Sequence, residues 1–245
     1  AETTNTNVLV LTPLTTMRRE CGELEQFFAE LMKIRPAGIM VSNLGSLHLA
    51  RTLTDLPLQA DFAFNTFNHL STQFLKKNGI RQTVASLEAS YPQVRDLIEA
   101  SALPIEIIVH GATEAMICDH NFAAMQLDFS PLQNPELADH HYALLDTAKE
   151  AHPLRVDQYE RTHILFAKDL CLLPYLEKLN GVASYRLEAQ HYSPELTAQL
   201  TKIYRRELDA LATPGYQFQP QILEDLKKIS PRELGIGAYR YRVSR

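Results

Sequence analysis

The chain has 245 residues, of which 45% are hydrophobic, and a formal net charge of −5 at pH 7. This length and composition are typical of a globular protein with a large buried core, and they exclude a chain that is disordered throughout. The acidic balance gives no support for RNA as a partner, although a local basic patch would still allow it. No run of about eighteen apolar residues occurs, so we expect no membrane partner and a cytoplasmic location.

The cysteine content also limits the classes of site. Cys21, Cys118 and Cys171 are odd in number and widely spaced, which predicts neither a disulfide framework nor a zinc site built on paired cysteines. We therefore expect a reducing compartment. Because the chain begins with Ala1 and not with methionine, we also expect it to be a trimmed piece of a longer protein.

In chain order, the first two-fifths of the sequence alternate short apolar runs with amphipathic stretches. The apolar runs predict strands at Val8 to Leu11, Gly38 to Ser42, Leu58 to Phe62, Thr83 to Ser86 and Ile105 to Val109. The amphipathic stretches predict helices at Leu24 to Ile34, Leu47 to Leu53, Leu70 to Asn78 and Tyr91 to Ala100. Such alternation is typical of an α/β fold in which crossover helices connect parallel strands.

The alternation stops between residues 121 and 159, where prolines and histidines interrupt any periodicity. We interpret this stretch as a long excursion over one face of the domain. Regular elements are predicted again beyond it. They are a helix at Lys168 to Leu179, a strand at Ser184 to Glu188, a helix at Pro194 to Ala212 and a short helix at Ile222 to Ile229.

Polar side chains recur where the predicted strands end, which is where parallel α/β folds place functional groups. These side chains are Asn43, Asn65, Asn68, Glu88 and His110. Asparagine at such positions is also a common helix cap or turn former, so a structural role is an equal alternative for each. His110 follows an apolar strand and precedes a glycine, where it could act as a general base or ligand or remain a structural histidine.

Other carboxylates and thiols allow further hypotheses. Glu88 and Glu114 could form an acid and base pair if both lie on one rim. Cys118 and Cys171 could supply a nucleophile or a soft metal ligand, and a small buried apolar residue is the other interpretation of each. Two cysteines cannot hold an iron–sulfur cluster, which normally takes four thiolates.

A group of acidic residues and histidines raises the question of a metal site. The group consists of Asp139, His140, His141 and Asp146. Adjacent histidines point in different directions and rarely bind one ion together. We therefore predict no metal there.

Short sequence pieces, many of them at the ends of predicted strands, follow one another in a recognisable order. They are Ser42 to Gly45, Ala60 to Asn68, Ser86 to Glu88, Glu106 to Gly111, Tyr142 to Asp146, Lys168 to Cys171, Tyr185 to Glu188, and Ser230 to Arg232 with Gly237. In this order the pieces resemble the U32 (collagenase-like) peptidase family. The resemblance implies a TIM-like β/α barrel, and we expect this chain to begin partway round that barrel. The barrel domain would span residues 1–212, including the excursion at 121–159, and residues 213–245 would form a carboxy-terminal extension.

The resemblance also implies a set of site residues. The catalytic residues would be His110, Glu88 and Asp169. The substrate-binding residues would be Asn43, Asn65, Asn68, Glu114, Arg155 and Glu188. Family members are named as peptidases, while several are iron–sulfur proteins that help to hydroxylate transfer RNA, ribosomal RNA or ubiquinone precursors.

The cysteine positions depart from the members that bind a cluster. Those members have cysteines at the positions that Glu114 and Asn121 occupy here, and Cys171 alone stands at an expected position. The family's Glu-Gly-Arg after the late strand is replaced by Glu188, Ala189 and Gln190. We therefore expect no cofactor in this chain.

The leading hypothesis is a U32 peptidase-like hydrolase in which Glu88 and His110 activate a bound water. The first alternative is a noncatalytic or substrate-positioning subunit of an RNA- or quinone-hydroxylation system, working with a cluster-bearing partner. The second alternative is a small-molecule enzyme, because a barrel does not determine its reaction. An incomplete barrel leaves an open strand edge, so we expect a homodimer or a partner chain that completes it.

Overall fold

The structure is a computed structural model that describes residues 6–122, 124 and 142–240. Its internal contacts divide the chain into two compact units. The first unit consists of residues 6–108, 178–186 and 237–240, and the second unit consists of residues 109–122, 124, 142–177 and 187–236. The domain boundary that we predict after residue 212 stays a prediction.

The first unit is built on parallel strands joined by helices. Its elements are β1 (Leu9–Leu11), α1 (Cys21–Ile34), β2 (Gly38–Val41), α2 (Leu44–Leu53), β3 (Leu58–Ala60), α3 (His69–Lys77), β4 (Ile80–Val84) and α4 (Tyr91–Ala100), followed by β5 (Ile105–Gly111). Short 3-10 helices lie at Arg18–Glu20, Phe62–Phe64 and Gly237–Arg240. The strand order is β1-β2-β3-β4-β5, all parallel.

The apolar pattern of the sequence explains this arrangement. In α1, Leu24, Phe28 and Leu31 recur at four- and three-residue spacing and are all buried, so one face of the helix packs on the sheet. Every residue of β2 and of β5 is buried, as expected for strands covered on both faces. The buried apolar residues of α1 and β2 form a core with side chains of α2, β3, α3 and the start of β4.

The second unit contains a separate antiparallel sheet and two helices. The sheet has the order β6-β9-β8-β7. Its strands are β6 (Glu114–Cys118), β7 (Ala143–Leu145), β8 (Ala151–Val156) and β9 (Thr162–Leu165), and the helices are α5 (Pro194–Ala210) and α6 (Pro220–Ile229). This unit also contains β10 (Asp169–Cys171), which is antiparallel to the end of β5, and β12 (Leu234–Gly235), which is parallel to β10.

Two strands belong to both units. β11 (Ser184–Glu188) pairs with β5, and both strands pass from the first unit into the second. The 3-10 helix at Leu173–Leu179 also crosses this boundary. The observed β11 has the bounds that the sequence predicts.

The predicted α/β class is confirmed, with parallel strands and crossover helices compatible with a TIM-like barrel. The barrel is not closed, because β1 pairs with β2 alone among the described strands. The predicted helix from Lys168 to Leu179 is wrong in its first part, where β10 lies instead. Leu170 and Cys171 are a short apolar run, and periodicity alone cannot assign such a run to a helix or a strand.

The stretch that we interpret as an excursion is partly described. Its described residues include β7 and β8, two strands that the sequence analysis does not predict. Asp139, His140 and His141, the core of the candidate metal group, lie outside the described residues. Within the described ranges, no helix has both the length and the apolar character needed to cross a bilayer.

Candidate functional site

In the first unit, the predicted asparagines serve the local backbone. Asn43 caps α2, with its Oδ1 accepting the Ser46 N–H at 2.8 Å, and Asn68 caps α3 through the Ser71 N–H at 3.1 Å. Asn65 has a left-handed backbone with φ of 49°, and its Oδ1 accepts the Ser86 hydroxyl at 3.1 Å. The cap interpretation therefore accounts for their positions, and substrate binding by them stays a prediction.

Glu88 lies in the turn after β4 and is linked to Asn65 through Ser86. Its side chain is exposed, and its backbone N–H donates to Ser86 Oγ at 3.2 Å. Glu88 belongs to the first unit, whereas His110 belongs to the second. Their predicted cooperation on a bound water stays a prediction.

A buried ionic group lies among the strands of the first unit. Arg186 donates to Asp61 Oδ1 at 2.8 Å, and the same nitrogen lies 3.8 Å from Glu106 Oε1. Glu106 also accepts hydrogen bonds from Ser184 at 2.6 Å and from Gln82 at 3.3 Å. One arginine thus neutralises part of the charge of two buried carboxylates, which makes its loss costly to the fold.

In the second unit, the most buried carboxylate is Asp169 at the start of β10, with an exposed fraction of 0%. The Tyr192 hydroxyl donates to its Oδ2 at 2.6 Å, and the Arg232 guanidinium contacts its Oδ1. Arg232 also donates to the Phe166 carbonyl at 3.0 Å. Burial first, and then the hydrogen bond to Asp169, raise the pKa of Tyr192, so its hydroxyl remains a donor at neutral pH.

The predicted histidine is buried and contacts the ring of the same Tyr192. The His110 ring meets the Tyr192 ring edge-on, with centroids 6.1 Å apart, and its Nδ1 lies 3.1 Å from the Tyr204 hydroxyl. Burial lowers the pKa of His110 to about 4, so the imidazole is neutral at physiological pH. Tyr192 therefore connects His110 with Asp169, two of the three residues that we predict to be catalytic.

The glycine after this histidine is required by a close backbone approach. Gly111 has φ of 123°, and a Cβ built on it would lie 2.0 Å from the carbonyl oxygen of Glu188. Glu188, another predicted site residue, is itself 8% exposed at the end of β11. The His-Gly pair therefore fixes the end of β5 against the end of β11.

Two more predicted residues lie on the antiparallel sheet of the second unit. Glu114 Oε1 is 2.6 Å from His163 Nδ1, whose other ring nitrogen is 3.3 Å from Asp157. The hydrogen bond to Glu114 is the main cause that raises the pKa of His163. Arg155 extends from β8 and donates to the Leu154 carbonyl at 3.3 Å. Glu114 is thus paired with a histidine, not with the carboxylate Glu88.

His191 shows which of these charged groups lie within electrostatic reach of one another. Partial burial is the largest cause that lowers its pKa, and the positive charges of Arg155 and Arg232 lower it further. The charges of Glu114 and Asp169 act in the opposite direction. We name Asp169, His191, Tyr192 and Arg232 the Asp169 site, with Glu114 and Arg155 in its electrostatic surroundings.

The structure therefore brings together part of the predicted set. His110, Asp169, Glu188, Glu114 and Arg155 all belong to the second unit. The sequence analysis misses Tyr192, His191 and Tyr204. The sequence analysis includes Arg232 only as part of the piece Ser230 to Arg232 and assigns it no role.

One group in the second unit has the composition of a metal site. Donor atoms of Asp146, Glu150 and His152 lie within 4.8 Å of one another. The Lys168 ammonium is 2.7 Å from Glu150, and Asp146 accepts the Glu150 backbone N–H at 2.8 Å. An ion pair and a turn account for these contacts without a cation.

The thiols do not fit an iron–sulfur cluster held by this chain alone. The sequence has three cysteines, and Cys171 lies on β10 with Asp169. Its Sγ is 3.8 Å from the Tyr204 hydroxyl, and burial raises the pKa of the thiol, which disfavours the thiolate that a cluster needs. Glu114 and Asn121 provide no thiolate at the other positions.

Comparison with known sequences identifies relatives of this chain. The sequence profile described as peptidase family U32 matches residues 1–244. A tRNA hydroxylation protein P2 of Bacillus subtilis (strain 168) is 23% identical over 195 residues, which cover 77% of this chain and 63% of that protein. The tRNA hydroxylation protein P1 of the same strain is 23% identical over 221 residues, covering 86% and 52%.

Two further comparisons complete this set. A tRNA hydroxylation protein P of Helicobacter pylori (strain J99) is 25% identical over 201 residues, covering 76% of this chain and 47% of that protein. The matches thus span from about half to nearly two thirds of the relatives' length. A solved U32 peptidase structure aligns with a TM-score of 0.38 and 13% identity, over 46% of this chain and 49% of that one.

Proposed function

The chain belongs to peptidase family U32, and we propose that it takes part in the hydroxylation of transfer RNA as a substrate-positioning component. Three curated relatives that cover about three quarters or more of the chain are named tRNA hydroxylation proteins. Those names favour the RNA branch of the family over the quinone branch. A role on transfer RNA also agrees with the cytoplasmic location that we expect from the sequence.

The observation that carries this proposal is how the polar groups of the Asp169 site are paired with one another. Its carboxylate is engaged on both oxygens by Tyr192 and Arg232. The Nδ1 of its neighbour His110 contacts the Tyr204 hydroxyl, and burial raises the pKa of the nearby Cys171 thiol. An arrangement of fixed donors and acceptors suits recognition of a polar substrate better than it suits attack on a peptide bond.

Hydroxylation inserts an oxygen atom and needs a redox group, which these thiols do not supply. We therefore assign oxygen insertion to a separate redox partner and substrate positioning to this chain. The open edge of β1 is one place where such a partner or a second copy would add a strand. Arg232 and Arg155 would hold an anionic substrate, while Asp169 and Tyr192 would orient a group with hydrogen-bond donors.

The test is the transfer RNA of a strain that lacks the gene. Digested transfer RNA from the deletion strain and its parent would be compared by liquid chromatography and mass spectrometry. We expect a nucleoside of the parent to be replaced by a form with one oxygen atom less, and the plasmid-borne gene to restore it. An unchanged nucleoside profile in the deletion strain would contradict the proposal.

A peptidase is the second candidate, because the family is described by that activity. The purified chain would be incubated with denatured collagen and casein at neutral pH. We expect no cleavage beyond that of a mock preparation. Cleavage that copurifies with the chain and is lost in His110→Gln would move the function to hydrolysis.

A further inference from the structure

The charge of the molecule is distributed unevenly over its surface. The chain as a whole carries a net charge of −5, yet residues 44–82 contain four lysines and arginines and only two acidic residues. One of these, Asp61, is buried with an exposed fraction of 1%, and the other, Asp55, is paired with Arg35 at 3.1 Å. The exposed surface of this segment is therefore basic within an acidic protein.

The four cations belong to α2, α3 and β4 of the first unit. They are Arg51, Lys76, Lys77 and Arg81, and all four are exposed. Arg51 donates to the Asn78 side chain at 2.8 Å, which ties the last turn of α2 to the end of α3. Lys76 and Lys77 lie in the last turn of α3, and Arg81 follows on β4.

An exposed aromatic ring lies beside these cations. Phe74 is 50% exposed and stands one helical turn before Lys77 and Asn78, so it shares their face of α3. We name Arg51, Phe74, Lys76, Lys77 and Arg81 the α2–α3 basic surface. Cations with an interspersed exposed aromatic are the combination that proteins use on nucleic-acid backbones and unpaired bases.

The cations of this surface differ from three exposed lysines elsewhere in the chain. Lys33, Lys227 and Lys228 each pair with a carboxylate three residues away at 2.6 to 2.7 Å. Within the described ranges, Arg51, Lys76, Lys77 and Arg81 form no ion pair. Attraction to the carboxyl end of α3 favours Lys76 and Lys77 where they are, but it does not explain Arg81 or the exposed Phe74.

We propose that the α2–α3 basic surface binds the phosphate backbone of RNA, with Phe74 stacking on an unpaired base. This inference rests on the proposed function and names the surface on which the transfer RNA lies. Four cations on one surface would contact several phosphates, and binding would then weaken steeply with added salt.

The experiment measures binding of fluorescein-labelled, in vitro transcribed transfer RNA to the full chain by fluorescence anisotropy. The test variant is Lys76→Gln with Lys77→Gln. The control variant is Lys227→Gln with Lys228→Gln, which removes the same charge from the last turn of α6. Because glutamine keeps a good helix propensity, both variants should fold, and their thermal unfolding would be compared by circular dichroism.

We expect the test variant to bind roughly tenfold more weakly, with a salt dependence reduced by about two phosphate contacts, and the control to bind like the wild type. Phe74→Ala should weaken binding of single-stranded RNA more than binding of duplex RNA. Equal binding by the test and control variants, or no binding by the wild type, would overturn the inference. The inference would also be overturned if the wild type bound phosphatidylglycerol vesicles and not RNA, and if the test variant lost that binding to vesicles.

The outcome for this surface is separable from that for the proposed function. If cellular hydroxylation depends on the gene but the test variant binds like the control, the surface assignment fails and the proposed function stands. If hydroxylation does not depend on the gene, the proposed function fails, whatever the binding measurement gives.

Discussion

Asp61 in the first unit and Asp169 in the second are both almost fully buried, and each is contacted by one arginine, but different parts of the fold hold them. Asp61 caps a 3-10 helix through the Phe62 N–H at 2.8 Å, and its arginine, Arg186, stands on β11. Asp169 is held by Tyr192 and Arg232, which lie in turns outside the strands and helices.

This difference separates a structural carboxylate from a candidate site. The regular elements around Asp61 cannot move without breaking the sheet of the first unit. The turns that carry Tyr192 and Arg232 are the kind of segment on which binding residues commonly lie, positioned by the strands beneath them. We therefore expect substitutions around Asp61 to reduce stability strongly, and substitutions around Asp169 to reduce function.

The largest effect is expected at Arg186. Arg186→Met would leave Asp61 and Glu106 buried without a counter-charge, so we expect the free energy of unfolding to fall by about 5 kcal/mol. Urea denaturation measures the loss. The control is Arg35→Met, which breaks the exposed pair with Asp55 and should cost far less, because water and salt screen that pair. Similar losses of stability for both variants would contradict the structural role of the buried ionic group around Arg186.

The next effect tests the close approach of Gly111 to Glu188 in the second unit. Gly111→Ala places a Cβ against the Glu188 carbonyl at a φ of 123°, so steric overlap and backbone strain together should cost about 4 kcal/mol. Gly215→Ala is the matched control, because Gly215 has φ of 80° and open space around it. It should cost only about 1 kcal/mol, and an equal cost for both would show that the close approach is absent.

The pH dependence of stability should distinguish two histidines of the second unit. The pKa of His110 falls from 6.5 to about 4 on folding, because burial disfavours the charged ring. Its neutral form is favoured, so its contribution is complete above pH 6.5 and is lost as the pH falls toward 4. The loss should reach about 3 kcal/mol, relative to a His110→Gln variant in urea denaturation at pH 7 and pH 4.

His163 should behave with the opposite sign. Its folded pKa is raised, first by the hydrogen bond to Glu114, so its contribution is complete below 6.5 and is lost as the pH rises through the folded value. NMR titration of the two imidazoles would measure both directions. A His163 that titrates below 6.5 would contradict the ion pair with Glu114.

The smallest expected effect is at Tyr192. Tyr192→Phe removes one hydrogen bond to the Asp169 carboxylate but leaves Arg232, so the loss of stability should be about 1 to 2 kcal/mol. Tyr185→Phe, which removes a hydroxyl that donates to the Leu179 carbonyl at 3.2 Å, should cost less because that bond is between neutral groups. A larger loss for Tyr185→Phe would reverse the assigned importance of the two hydroxyls.

The local patterns predict most of the first unit, because its helices and strands follow from residues near one another in sequence. The periodicity of α1 and the mainly apolar β2 and β5 are examples. The second unit is less predictable. β10 is three residues long and becomes a strand only by pairing with Gly111 and His110 and with β12, so its local pattern was ambiguous.

The candidate site was predictable in its acids and histidine but not in their partners. Asp169 and His110 belong to sequence pieces that resemble those of the U32 family. Their contacts come from distant residues, with Tyr192 and Arg232 23 and 63 positions from Asp169 and Tyr204 94 positions from His110. The asparagines show the opposite case, since cap and site were equal alternatives and the cap is what the backbone uses.

The most direct test of the central claim is complementation of the deletion strain with Asp169→Asn, a substitution that keeps the size and removes the charge. The content of hydroxylated nucleoside in transfer RNA would be measured by mass spectrometry, with Asp55→Asn as the control and immunoblots to compare protein levels. We predict that Asp55→Asn restores the hydroxylated nucleoside and Asp169→Asn does not. Full restoration by Asp169→Asn at an equal protein level would contradict the claim that the Asp169 site positions the substrate.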